Sequence, residues 1–201
     1  MKKIVVVLCV LMFNVSCSQG KKEIIGKTEF QQELNAFYKD ASTSPLTKKD
    51  LKTFKALEFF PVNEKLKVTA SFKLTPEAKA FKMATSTTRT PMYRCYGIAT
   101  FTINGKEFSL EIYQSQDPEK DPEYKDYLFL PFTDETNGFA SYGGGRYIDL
   151  KIPSGNTIEI NFNNAYNPYC AYNDRYSCPI PPRVNFLATE INAGVKAYKK
   201  H

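Results

Sequence analysis

Met92-Tyr-Arg-Cys95-Tyr-Gly-Ile-Ala-Thr-Phe-Thr-Ile103-Asn104-Gly105-Lys-Glu-Phe-Ser-Leu-Glu-Ile-Tyr113 is the stretch on which the fold turns. Asn104-Gly105 sits between two runs rich in aromatic and β-branched residues, 92–103 and 107–113. A two-residue type I′ turn needs positive φ at both central positions, and this dipeptide supplies it. The stretch therefore predicts an antiparallel hairpin, since each flank has the composition of a half-buried strand.

Outward from this hairpin the period of two continues. Leu66, Val68, Ala70, Phe72 and Leu74 alternate with Lys67, Thr69, Ser71 and Lys73, which predicts a strand with one wet face. Phe81 and Met83 suggest another short strand, and 127–132 reads as a buried one. Residues 146–152 and 157–162 read as a second hairpin around Pro153-Ser-Gly-Asn156, with 184–191 closing the sheet. The acidic, turn-rich stretch 117–126 reads as a solvated loop, because it lacks the ligand order of an EF-hand.

A helical period appears only near the start. Phe30, Leu34, Phe37 and Tyr38 share one face over 29–39. Thr47-Lys-Lys-Asp50 is a near capping box for a short second helix, which Phe59-Phe60-Pro61 brings to an end. The expected fold is mainly β (α+β): an antiparallel curved sandwich or partly closed barrel, with two short N-terminal helices covering an open edge or end. No internal repeat appears, and 29–201 reads as a single domain.

The first residues read as an address. Met1-Lys-Lys, an apolar run over 4–13 and Val15-Ser16-Cys17 form an export signal of lipoprotein type, too short to span a bilayer as a mature helix. The expected division is a signal peptide over 1–16, an acylated Cys17 opening a lipid-anchored tether over 17–28, and then the domain. Lys2 and Lys3 leave with the signal, so the formal +6 of the full chain becomes +4. That charge is mild, no basic stripe accompanies it, and a nucleic-acid partner is not expected. The expected partner is the membrane, on the periplasmic side or at the cell surface.

The only histidine is His201. This removes Ser-His-Asp, Cys-His and His-rich zinc chemistry from an ordered site. No metal site and no cofactor are expected. Cys95 has the strand parity of Phe101 and Ile103 and reads as a buried structural thiol. Cys170 and Cys178 lie in one long loop of an exported chain, where a disulfide is the favoured reading and a reactive thiol its rival.

That loop runs through Asn161-Phe-Asn-Asn-Ala-Tyr-Asn-Pro-Tyr-Cys170-Ala-Tyr-Asn-Asp-Arg-Tyr-Ser-Cys178-Pro-Ile-Pro-Pro182, and Tyr142-Gly-Gly-Gly-Arg146-Tyr precedes it. Loops longer than about 12–15 residues are uncommon in compact domains and tend to be functional or disordered, and these aromatics argue against disorder. Arg146 has the parity of Ile148, Leu150 and Ile152, so a regular strand points it inward. An inward guanidinium must be paired or must open onto a pocket. Two readings follow. Either a structural Arg–carboxylate pair pins the loop, or Arg146 belongs to an anion or carboxylate site.

The residues are also similar to a known family. Phe59-Phe-Pro, Thr85-Ser-Thr-Thr-Arg-Thr-Pro, Asp126-Tyr-Leu-Phe-Leu-Pro-Phe-Thr-Asp-Glu-Thr-Asn-Gly138, Gly144-Gly-Arg-Tyr147, Asn161-Phe-Asn, Ala165-Tyr-Asn-Pro and Cys178-Pro occur in the order seen in DUF1684, a family of uncharacterised bacterial and archaeal proteins. The resemblance covers about residues 45–195 and implies that Asp134, Thr136, Gly138, Tyr142, Arg146, Tyr147, Asn163, Asn167, Cys170, Tyr172 and Cys178 hold motif positions. The family often has Glu where this chain has Ala140.

The expected function is a lipid-anchored extracytoplasmic module, non-catalytic, binding a small polar or anionic ligand through Asp134, Tyr142, Arg146, Tyr147, Asn163, Asn167 and Tyr172. The alternative is a histidine-independent hydrolase, with Asp134 or Asp149 as base and Arg146 and Tyr147 stabilising charge.

Overall fold

The computed structural model describes residues 26–116 and 125–198. The signal, Cys17, the tether up to residue 25, most of the acidic stretch and His201 lie outside the described residues.

The central hairpin forms as its sequence dictates. Strands β3 (Met92–Ile103) and β4 (Lys106–Ser115) pair antiparallel, with Phe101 opposite Phe108 and Ile103 opposite Lys106. Asn104 and Gly105 have φ of 50° and 79°. The remaining strands are β1 (Lys67–Leu74), β2 (Phe81–Lys82), β5 (Tyr127–Asp134), β6 (Arg146–Lys151), β7 (Thr157–Asn161) and β8 (Phe186–Leu187). The main sheet runs in the order β6-β5-β4-β3-β1-β7, with β2 paired to β3 and β8 paired parallel to β5.

Sequence neighbours β6 and β7 are not a hairpin, contrary to the expectation. They occupy the two ends of the strand order, β6 on β5 and β7 on β1. Six strands in a flat sheet would hold their outer members about 24 Å apart at the usual strand spacing. The link from Lys151 to Thr157 could cover at most roughly 20 Å if drawn straight, and it is folded into a turn. The sheet must therefore curl, and it forms a mainly antiparallel half-barrel.

The inside of the curl is the main core: Ala70 and Phe72 from β1, Ala99, Phe101 and Ile103 from β3, Phe108, Leu110 and Ile112 from β4, Leu128, Leu130 and Phe132 from β5, Ile148 from β6, and Ile158 and Ile160 from β7. Gly97 is needed where β3 crosses Phe72, because a Cβ there would lie 2.6 Å from the ring. A bulge between Cys95 and Gly97 reverses the parity of the strand before it. Cys95 therefore leaves the face of Phe101 and Ile103. It is half-buried and packs against the outer cluster of Met83, Tyr113, Phe129 and Tyr147. The expectation of a fully buried thiol on the inner face is corrected by that one inserted residue.

Helix α1 (Glu29–Lys39) starts at Thr28, whose side chain accepts from Gln31 N at 3.2 Å. Lys27 N also donates to Gln31 Oε1, so the last residues read as tether already cap the helix. In helix α2 (Lys48–Thr53), Thr47 Oγ1 accepts from Asp50 N and donates to the Asp50 carboxylate, completing the expected capping arrangement with Asp in place of Glu. Both helices pack on the tyrosine loop. Tyr38, Leu46, Leu57, Ala171, Tyr172 and Val195 form this second core, with Tyr38 meeting Tyr172 edge to face at 4.8 Å.

A strap over residues 189–198 crosses the open end of the half-barrel. Val195 N donates to Ala165 O, Lys196 N to Glu58 O, Ala197 N to Ala140 O, and Gly194 O accepts from Phe60 N. Gly194 has φ 76°, and a Cβ there would meet Ala165 O at 2.4 Å.

Candidate functional site

Strand β6 alternates, and its parity sorts the candidate residues. Arg146 and Ile148 face inward, and Tyr147 and Asp149 face outward. The inward guanidinium is wholly buried and donates to Asp134 Oδ2 at 2.8 Å. It also donates to Ile191 O at 2.8 Å, to Ala193 O and, weakly, to Thr136 Oγ1. The rings of Phe60 and Phe132 flank it. Asp134 Oδ1 in turn accepts from Thr136 N at 2.9 Å and Ile191 N at 3.1 Å. Burial pulls the guanidinium below its ordinary pKa, and Asp134 opposes the shift. This is the structural Arg–carboxylate pair of the two readings. Neither group opens onto a cleft, and the pair holds the strap against β5 and β6.

The other motif positions are spent in the same way. Thr136, Asn137, Ser141 and Tyr142 bond among themselves in the loop after β5, with Thr136 Oγ1 and Ser141 Oγ 2.7 Å apart. Asn163 grips the backbone of Asn63 from both sides, accepting from its N at 2.8 Å and donating to its O at 2.9 Å. Asn167 Nδ2 donates to Lys196 O and to the Tyr172 hydroxyl. Tyr147 hydroxyl donates to Pro179 O. The Asp134–Arg146 pair, Asn163 and Tyr172 thus serve three separate joints and do not converge on one cavity. Asn185, which no motif or strand parity marks in the sequence, belongs with them. Fully buried, it accepts from Glu111 N and donates to Glu111 O and Pro131 O, stapling β4 to β5.

One open space lies on the outer face of β6, and another, of about 420 Å³, lies among Asn63, Asn104, Glu135 and Glu190. Tyr166 pairs with Tyr147 by two backbone bonds and covers the sheet edge. Between this edge and α1 runs a cleft of about 330 Å³, lined by Phe30, Glu33, Leu34, Phe37, Asp149, Tyr166 and Tyr169. Phe37 and Tyr169 stack at 6.1 Å between centroids. Asp149 Oδ1 accepts from Tyr166 at 2.6 Å and Tyr127 at 2.8 Å. Burial raises both phenols well above the ordinary tyrosine pKa, and the Asp149 charge adds to the rise. Among the described residues, the lining includes two carboxylates and no lysine or arginine. Of the candidates named from sequence, only Asp149 belongs to it. On the apolar face of α1, Phe30, Leu34 and Phe37 stay only half-buried, whereas Tyr38 is fully buried.

Beside this cleft the loop turns back on itself at Cys170 and Cys178. The expected bridge is not formed in the structure, where both are free thiols. They are nonetheless in contact, Cys170 N donating to Cys178 Sγ at 3.1 Å.

Residues 52–196 match the model of a protein family of unknown function, DUF1684. The chain is similar to the solution NMR structure of an uncharacterised protein from Haloarcula marismortui, with 31% identity and a TM-score of 0.67 over 85% of this chain and 92% of that one. No curated protein matches the chain.

Proposed function

This chain belongs to the DUF1684 family, and on that premise we propose that it is a lipid-anchored extracytoplasmic module that binds a small polar ligand without transforming it. The observation that carries the reading is the arrangement at Asp149. One carboxylate oxygen is fixed by two tyrosine hydroxyls at the wall of an aromatic cleft. Such a site offers apolar ring faces and a pre-oriented acceptor, the combination that small-molecule sites use for affinity and orientation. With Glu33 and Asp149 both at the cleft, its ligand is neutral or cationic rather than anionic. The ligand site is thus moved from Arg146 to the outer face of the same strand, where Tyr166 and Tyr169 of the long loop form part of the wall.

The hydrolase reading loses its support on geometry. Asp134 is locked to Arg146, and Asp149 faces away from that guanidinium across β6. Among the described residues, no serine, cysteine or histidine lines the cleft.

A thermal-shift screen of sugars, amino acids and organic amines tests the site. A stabilising compound is expected to lose its effect in Asp149→Asn and Phe37→Ala variants that still unfold cooperatively. Undiminished stabilisation of both would remove the assignment. The anchor rests on the basic start, short apolar run and Val15-Ser16-Cys17 of the sequence. A Cys17→Ser variant is expected to leave the membrane fraction and to lose the acyl mass. Retention in membranes would show that another element anchors the chain.

A further inference from the structure

The thiol pair lies beside the cleft but is not part of its lining, and its surroundings are built. Cys170 lies in a single 3-10 turn, Tyr169–Ala171, and is half-buried, whereas Cys178 is 7% exposed. The far end of the loop is pinned. Cys178 N donates to Ser86 Oγ at 3.1 Å and Cys178 O accepts from Ser86 N at 2.9 Å. Ile180 N bonds Ala84 O, and Ser177 Oγ lies 2.6 Å from Thr87 Oγ1. The near end is pinned through Asn167 to the strap. Two sulfur atoms are thereby held together by a frame that does not depend on a bond between them. The Tyr142 hydroxyl lies 3.9 Å from Cys170 Sγ, on the more accessible member of the pair.

We propose that Cys170 and Cys178 are a reversible redox pair, with Cys170 the attacking thiol and Cys178 the resolving one, oxidised by a low-molecular-weight disulfide. In the first step the Cys170 thiolate attacks one sulfur of the disulfide RSSR. A Cys170–SR bond forms, and RS⁻ leaves and takes up the proton that Cys170 has lost. In the second, Cys178 loses its proton and attacks the Cys170 sulfur, which forms the Cys170–Cys178 bond and expels the second RS⁻ as thiol. The protein gives up two electrons and two protons, and one RSSR becomes two RSH.

The division of labour follows from the contacts. The thiol of Cys178 and the hydroxyl of Tyr142 both stabilise a negative sulfur at Cys170, against the opposing effect of its burial, and draw it down to about 6. The same contact with Cys170, together with burial, raises Cys178. Cys95 provides an internal contrast, since burial raises it and no second thiol among the described residues contributes to its shift. A thiol that is ionised and accessible attacks, and one that is buried and protonated waits.

The test treats purified protein with oxidised glutathione near neutral pH and maps its peptides without reduction. The expected product is a Cys170–Cys178 linked peptide that dithiothreitol reverses. In Cys178→Ser the reaction is expected to stop at one glutathione on Cys170, and Cys170→Ser is expected to leave Cys178 unmodified over the same period. Brief iodoacetamide labelling of the reduced native protein is expected to mark Cys170 at least about tenfold faster than Cys95, because thiolate fraction sets the rate. Thermal unfolding of each variant confirms that it remains folded. First adduct formation on Cys178 or Cys95, or a wild-type pair that reacts only after unfolding, would overturn the proposal.

Discussion

Strand β6 carries Arg146 and Asp149, two charged residues three positions apart with opposite fates. Arg146 faces the interior, meets Asp134, two strap carbonyls and two aromatic rings, and is unreachable. Asp149 faces outward, holds two tyrosine hydroxyls, and stands at the wall of a cleft. The period of two makes this difference, and it also separates roles. A charge on the inner face had to be paired for the half-barrel to close, and Arg146 spends both terminal nitrogens on Asp134 and the strap, while its Nε has no partner among the described residues. A charge on the outer face remains available to a ligand. Motif positions on such a strand therefore record structure and recognition together.

The widest break between the two faces is expected at high pH. The outer face and the second core hold Tyr38, Tyr113, Tyr127, Tyr147, Tyr166 and Tyr172, all raised above the ordinary phenol range chiefly by burial. A raised folded-state pKa means that the unfolded chain loses its proton first. The stability these tyrosines contribute is intact below the unfolded phenol pKa of about 10 and is lost as pH rises beyond it. Each removes about 1.4 kcal/mol of stability per pH unit in that window. Phenolate absorbance and circular dichroism are expected to change together in one steep alkaline transition. Smooth phenol titration with the fold retained would contradict this.

Next in size is the inner pair. Arg146→Met leaves the Asp134 carboxylate buried without its cation and is expected to cost about 3–5 kcal/mol in urea unfolding. The double variant Arg146→Met, Asp134→Leu is expected to recover part of that loss, because it leaves no stranded charge. Asn163→Ala, which removes both grips on the Asn63 backbone, is expected to cost about 1–3 kcal/mol. The smallest effect belongs to Asp149→Asn. Asparagine can still accept from both tyrosines, so urea unfolding is expected to change by less than about 1 kcal/mol. Its alkaline transition is expected to be slightly shallower, since the Asp149 charge adds to the rise at Tyr127 and Tyr166.

Local chemistry was legible in the sequence. Asn104-Gly105 determines its turn within two residues, Thr47 and Asp50 close a cap within one helical turn, and the parity of Arg146 correctly sent it inward. Non-local choices were not legible. Nothing in residues 146–162 says that β6 will take β5 and β7 will take β1, because strand partners are chosen by the whole sheet. The bulge at Cys95 leaves no mark in the pattern either, since one extra residue looks like any other. The cleft was hidden for a related reason. Its walls come from α1, β6 and the tyrosine loop, and an apolar helix face looks the same whether it fills a core or borders a gap. The one available signal was Asp149, whose parity on β6 is opposite to that of Arg146 and which reads from sequence as a base or a partner of Arg146 rather than as a cleft wall.

The strap also constrains the order of assembly. The sheet can pair its strands from residues 67–161, but Arg146 then lacks the carbonyls of Ile191 and Ala193, and Asp134 lacks the Ile191 amide. An ion pair short of these partners favours water over the interior. Dehydration of the half-barrel's open end and docking of residues 189–198 are therefore one event, not two. That event joins segments distant in the chain, as the bonds from Val195 to Ala165 and from Lys196 to Glu58 show, and distant closures are slow. A chain still being made would hold a paired sheet with a wet, unsealed end until this segment arrived, and only then would the last water leave.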